Sequence, residues 1–224
     1  MTFSIVGRCA RTGRLGVVVT SSSPAVAARC AWARAAAGAV STQNVTDPSL
    51  GPRVLDLLEA GRTAADALDE ALAATAYPDY RQAVVVDARG GVASYHGART
   101  LGRHGEAVGV DCIAAGNLLA DDRVPAAMVA AFEKEPDDPV AVRLLAALRA
   151  GAEAGGEEGP VHSCGLQVVD EVSWPTTDLR VDWHDDPISE LERLWNLWRP
   201  QEADYVARAL DPGSAPSYGV PGDD

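Results

Sequence analysis

The chain has 224 residues, enough for one substantial core, and its 47% hydrophobic and 23% charged residues are the balance of an ordinary globular domain. A formal net charge of −13 excludes a surface built for a polyanion, because that needs clustered Lys and Arg to displace counterions, so no nucleic-acid partner is expected. No stretch approaches the roughly 18 uncharged apolar residues of a membrane span, and the start lacks a basic segment followed by a long apolar one, so a cytoplasmic location with no membrane contact is expected.

Thr2 to Gly7 reads as a short β-run, the turn Arg11-Thr12-Gly13-Arg14 follows, and Leu15 to Thr20 reads as a second run, so the chain opens on a hairpin. An Ala-rich segment then leads into a strand over Gly38–Val45. Thr46 or Asp47 is placed to cap a helix with Pro48 in its first turn, Val54, Leu55, Leu57 and Leu58 as its buried stripe and Gly61 as its stop. A second helix spans Thr63 to Thr75, with Ala64, Leu68, Ala71 and Leu72 at helical spacing.

Gly90-Gly91 marks the turn of a second hairpin between Ala83–Asp87 and Val92–His96. One strand is expected through AVGVDCIAAGN, ending at Gly116-Asn117. A helix begins near Asp121, carrying Val124, Met128, Val129 and Phe132, and another covers DPVAVRLLAALRAG with Asp138 as cap and Pro139 as opener. GAEAGGEEGP has the composition of a flexible link, VHSCGLQVVDEV and TTDLRVDWH read as strands, and DPISELERLWNLWRP places Ile188, Leu191, Leu194, Trp195 and Trp198 on one helix face. That face suits the core or a subunit contact, and a homodimer is the expected assembly. From Asp211 the composition is that of a mobile tail.

Hairpin-linked strands alternating with grouped helices point to an α+β fold, a four-layer αββα sandwich with mainly antiparallel sheets. The expected organisation is one domain over 1–210 and a tail over 211–224. Cys9, Cys30, Cys112 and Cys164 form no CxxC pair and fit reduced, buried thiols, while His96, His104, His162 and His184 are scattered, so no metal site is expected.

Chemistry can sit at the first strand. An N-terminal threonine is a self-sufficient catalytic pair: its hydroxyl attacks a carbonyl while its own α-amine, with an ordinary pKa near 7.7–8.0, accepts the proton. Only a terminal residue can do this, since an amide nitrogen is not a base, and so the mechanism requires removal of Met1. Small second residues such as Thr generally permit that removal. Ser21, Ser22 and Ser23 lie where the second strand ends; they are either an ordinary polar turn before Pro24 or partners of Thr2. Gln43 and Asn44 sit before a helix, where amide N–H groups can hold an oxyanion or simply satisfy the strand end. Asn117 ends an otherwise apolar strand and is either an oxyanion or substrate contact or a turn former. Asp178, Arg180 and Asp182 alternate on one strand and read as an ion-pair ladder.

A Thr-initiated strand, tight turn, second strand and polar TSSS elbow resemble the beginning of the N-terminal nucleophile hydrolases, a superfamily with the αββα fold. More closely, TFSIVGR, GAVSTQNVTDPSLGPRVLDLLEAG, GNLLA, AGG and DLRVD resemble the hallmarks of the domain-of-unknown-function ten-twenty-eight family, from Thr2 to about Leu197. The resemblance implies Thr2 as nucleophile, supported by Ser21 and by the amides of Gln43, Asn44 and Asn117. Ser22, Ser23, Arg29, His162 and Ser163 are the expected substrate-binding set. Where the commoner family pattern has Arg-Gln-Ser in a basic stretch, this chain has His162-Ser163 after Glu157 and Glu158, which leaves the charge of the substrate open.

The resulting expectation is an N-terminal threonine amidohydrolase that cleaves a C–N amide bond in a small metabolite or an N-acyl or peptide-derived compound, without a cofactor. The alternatives are a catalytically silent metabolite-binding protein on the same scaffold and a structural protein using the tryptophan-bearing helix and acidic surface for assembly.

Overall fold

Phe3 and Ile5 alternate with Thr2, Ser4 and Val6 along the first strand, β1 (Thr2–Arg8), and a strand sends such alternating sets to opposite faces. In the computed structural model, which describes residues 2–221, both faces of β1 are covered, so all of Thr2 to Gly7 is buried. β1 lies inside a six-stranded antiparallel sheet, between β2 (Leu15–Ser21) and β8 (Cys112–Asn117). Outside these lie β9 (Ser163–Val169) and β10 (Thr177–Val181) on one side and β7 (Gly105–Gly109) on the other. The second sheet has the order β3 (Ala31–Arg34), β4 (Gly38–Asn44), β5 (Arg81–Asp87), β6 (Val92–His96), again antiparallel.

Each sheet face has its own apolar layer. Val6, Val17, Val19, Ile113 and Ala115 of the first sheet meet Ala39, Val84 and Val86 of the second. Phe3, Ile5 and Val18, on the outer face of the first sheet, pack on Met128 and Phe132 of α4 (Val124–Lys134), Leu144 and Leu148 of α5 (Val140–Glu153), and Leu191 of α6 (Pro187–Trp198). Val40 and Val85 of the second sheet pack on Val54 and Leu58 of α2 (Leu50–Glu59) and Leu68 of α3 (Ala64–Ala73). The fold is thus a four-layer αββα sandwich. A short helix, α1 (Ala27–Cys30), joins β2 to β3, and α7 (Glu202–Leu210) follows α6. No helix among the described residues is long and apolar enough to cross a membrane.

Local chemistry sets the joints. Thr63 accepts the Asp66 N–H as the N-cap of α3, an interaction worth about 1 kcal/mol. The buried Asp87 carboxylate accepts the Ala64 N–H and, across the β5–β6 turn, those of Arg89 and Gly91, tying that turn to the start of α3. Gly61, at φ +90, takes the left-handed conformation that stops α2.

Several expected boundaries differ. The Ala-rich segment divides into α1 and β3. AVGVDCIAAGN is two strands, because Asp111 turns the chain at φ +58 and is held there by Arg8, whose Nη1 donates to Asp111 Oδ1 at 2.9 Å. Asp47 accepts from Ser49 in a turn before α2 without capping it, and Pro139, in extended backbone, replaces Asp138 at the N-cap of α5. The expected link GAEAGGEEGP is docked: α5 runs through its start, Gly156 accepts from Ala120, Glu158 donates to Leu118, and Glu157 forms a β-bridge with Leu119. Trp195 is core, and Trp198 donates to Thr176 and Thr177 and stacks on Tyr205. Of the tail, the part up to residue 221 is described; Arg208 donates to the Pro216 and Ser217 carbonyls and lies over the Tyr218 ring.

Candidate active site

The space between the sheets is apolar at one end and polar at the other. Along β1 the inward set runs Val6, Ser4, Thr2; along β2 it runs Val17, Val19, Ser21; along β8 it runs Ile113, Ala115, Asn117. The facing strands change in the same direction, from Ala39 to Ser41 and Gln43 on β4 and from Val86 and Val84 to Gln82 on β5. Ser4, Ser21, Ser41, Gln82 and Asn117 have no exposed surface. Buried polar groups need partners, and here they find one another.

Gln82 is the hub. Its Nε2 donates to the Gly116 carbonyl at 2.9 Å, and because a backbone carbonyl only accepts, the orientation of the amide is fixed. Gln82 Oε1 must then be an acceptor, and it takes the amide N–H groups of Gln43 at 2.9 Å and Asn117 at 2.8 Å. Gln43 in turn accepts the Ser4 hydroxyl at 2.8 Å. The second Nε2 hydrogen of Gln82 meets His96 Nδ1 at 2.9 Å, which makes Nδ1 the acceptor and leaves Nε2 to donate to Glu106 at 2.9 Å. The same logic leaves Asn117 Oδ1, fully buried, without a partner among the described residues; Ser41 Oγ is also unpartnered.

Thr2 lies opposite Asn117 in the β1–β8 ladder, and its hydroxyl donates to Ser21 Oγ across a long 3.4 Å. Ser21 Oγ lies 2.8 Å from Ser23 Oγ, and Arg29 donates to Ser23 Oγ at 3.1 Å. A guanidinium only donates, so Ser23 Oγ accepts from Arg29, and either serine hydroxyl can be the donor between Ser21 and Ser23. Arg29 is therefore two hydroxyls away from Thr2, and it also grips the Pro24 and Ala25 carbonyls. Ser163, fully buried, staples the same loop by donating to the Ser23 carbonyl at 2.6 Å and accepting the Val26 N–H. The Ser22 N–H lies 3.3 Å from both oxygens of Glu157, whose carboxyl is pushed up to about 7 by burial, the positive charge of the chain's amino terminus opposing. Beside Glu157 is a cavity of about 180 Å³, bounded by Phe3, Gly156 and Val161. The larger clefts, about 430 Å³ each, lie at the opposite end of β1, near Arg8 and Arg14.

Thr2, Ser21, Ser22, Ser23, Arg29, Asn117 and Ser163 are thus brought to one end of the sandwich. Gln43 is there as well, but its amide is turned to Gln82 and Ser4. Asn44 is not directed at Thr2: at φ +69 it donates to the Tyr80 and Arg99 carbonyls and accepts from Leu101, fastening two loops. The backbone of His162 donates to the Ser21 carbonyl, while its ring stacks on Trp183 at 4.3 Å. Removal of Met1 concerns a residue outside those described. Ser4, Ser41, Gln82 and the His96–Glu106 pair were not singled out from the sequence. Their signal was polarity at alternate positions of strands whose other inward residues are apolar, as in Gln82 before Val84 and Val86.

A crystal structure of a Silicibacter pomeroyi protein assigned to the DUF1028 family superposes with a TM-score of 0.82 at 30% identity, over 91% of this chain and 89% of that one. Two Anbu (ancestral beta-subunit) structures align loosely: one from Yersinia bercovieri at TM-score 0.39 and 9% identity, over 94% of this chain and 98% of its own, and one from Hyphomicrobium sp. strain MC1 at 0.42 and 10%, over 97% and 100%. Among curated proteins none matches. The model of the family of unknown function DUF1028 matches residues 2–191, and with that relative of like fold over nearly its whole length, the chain belongs to this family.

Proposed function

We propose that the protein is an N-terminal nucleophile amidohydrolase in which Thr2, made terminal by loss of Met1, opens a small amide. The observation that carries this reading is the position of the Thr2 hydroxyl: at the end of an inner strand, 5% exposed, within the polar end of an otherwise apolar sandwich and bonded to a Ser21–Ser23–Arg29 chain. In the proposed reaction Thr2 Oγ1 forms a bond to the substrate carbonyl carbon, and its proton passes to the α-amine. The C–N bond then breaks, the amine leaves carrying that proton, and water hydrolyses the ester on Thr2 to release the acid. Asn117 suits the substrate contact, since its Nδ2 has one hydrogen beyond the Gln82 bond to offer an oxyanion and its Oδ1 can accept a substrate N–H. The chemistry needs no cofactor.

Intact mass spectrometry of the purified protein, with turnover of N-acyl and amide metabolites by the native chain and by Thr2→Ala, tests the reading. Thr2→Ala keeps a small second residue and hence the terminal amine. A mass lacking methionine, an acyl adduct on Thr2 and a loss of at least about a thousandfold in kcat/KM are expected. Activity that survives the substitution, or an active protein that still begins with Met1, sinks it.

A further inference from the structure

The ladder register locates the nitrogen end of Thr2. Thr2 faces Asn117 on one side and Phe3 faces Thr20 on the other, so the nitrogen end of Thr2 is turned to the gap between Ser22, just past β2, and Leu118-Leu119 beyond β8. Glu157 spans that gap: its backbone bridges Leu119, and both its carboxylate oxygens lie 3.3 Å from the Ser22 N–H. It is 5% exposed, and no Arg, Lys or His pairs with it among the described residues. One N–H does not satisfy a buried carboxylate, which calls for a cation.

We propose that Glu157 is the positioning partner of the Thr2 α-amine, holding it at the head of β1 and stabilising the ammonium that forms when the amine takes the hydroxyl proton. The proposal rests on the reading of Thr2 as the terminal nucleophile. Burial drives the Glu157 carboxyl upward, as for a carboxylate held away from water without a full set of donors. The cavity wall beside it, from β1, α5 and the following loop, is Phe3, Ala152, Gly155, Gly156, Gly159 and Val161, with no titratable side chain. The nearby charges are committed elsewhere: Arg29 to Ser23, Asp121 to Arg123, and Arg103 to the Ala120 carbonyl; Glu158 follows in sequence. The carboxylate therefore raises the α-amine pKa and moves the acid limb of the pH–rate profile upward.

The test uses the full chain released from a cleavable N-terminal fusion so that it begins at Thr2, with the α-amine titrated by NMR of its reductively ¹³C-methylated form. Glu157→Gln preserves side-chain volume and an acceptor for Ser22 but removes the charge. The amine of the native chain is expected to titrate above the ordinary range of about 7.7–8.0, and Glu157→Gln is expected to lower it so that the neutral fraction near pH 7 rises about tenfold. Equal titration in both proteins overturns the proposal. If Glu157→Gln fails to fold, a native amine at or below the ordinary range does so instead. Thr2→Ala keeps the amine, so its activity reports on the nucleophile while its titration reports on Glu157, and the two ideas fail separately.

Discussion

Replacing Gln82 by Leu removes the hub of the inter-sheet network without opening a cavity, since the two side chains are close in volume. The substitution deletes bonds to Gln43 at 2.9 Å, Asn117 at 2.8 Å, Gly116 at 2.9 Å and His96 at 2.9 Å. His96 reaches solvent and recovers with water, since its side chain is 19% exposed. The Gln43 and Asn117 amides and the Gly116 carbonyl do not. Each buried group stranded in this way costs about 1–3 kcal/mol, together roughly 3–9 kcal/mol. The leucine regains about 1.5–3 kcal/mol by burial, so that between the midpoints of the two ranges the net loss is about 4 kcal/mol. That is a large share of the roughly 5–15 kcal/mol that stabilises a typical domain. Urea unfolding followed by circular dichroism should show a lower midpoint at unchanged m. His96→Ala, which cuts only the solvent end of the chain, should lose no more than about 1 kcal/mol. A loss below about 1 kcal/mol for Gln82→Leu would refute the fixed hydrogen-bond directions, and with them the argument that Asn117 Oδ1 is left over for a substrate.

Two further outcomes follow from packing. Burial pushes the thiols of Cys30 up to about 11 and Cys112 up to about 12, and raises that of Cys164 further, so these three should resist iodoacetamide at pH 8 and be alkylated only in denaturant; peptide mapping that finds any of them modified in the folded protein contradicts their placement. A Cβ at Gly7 would lie 2.5 Å from the Phe132 ring, so Gly7→Ala should destabilise by about 1–3 kcal/mol and lower the melting temperature, whereas an unchanged melt would show that α4 shifts freely over β1.

The elements that were legible in the sequence are those specified by neighbours along the chain. The opening hairpin, the α2 and α3 pair with Gly61 and Thr63 between them, and α6 after Asp186 and Pro187 rest on local periodicity, caps and turns, and their grouping pointed to the layered fold. The β7–β8 turn escaped because it has no glycine at its tip. Asp111 takes the left-handed conformation with the help of Arg8, a partner 103 positions away. GAEAGGEEGP reads as a link by composition, and only the ends of β2 and β8 make it a wall.

The candidate site divides in the same way. Thr2 and the serines after β2 could be picked out because their chemistry depends on position in the chain and on residue type. Which amides face Thr2 could not, because that depends on how β1, β4, β5 and β8 register across and between two sheets. Sequence alone determined the strand that carries the hydroxyl and the small side chains that let two sheets pack closely. Tertiary structure decided that Gln43 turns to Gln82, that Asn44 is a fastener, and that Glu157 stands at the head of β1. Hydrogen bonds among residues tens of positions apart are chosen by the packed backbone, which fixes the few directions in which a buried donor or acceptor can be satisfied.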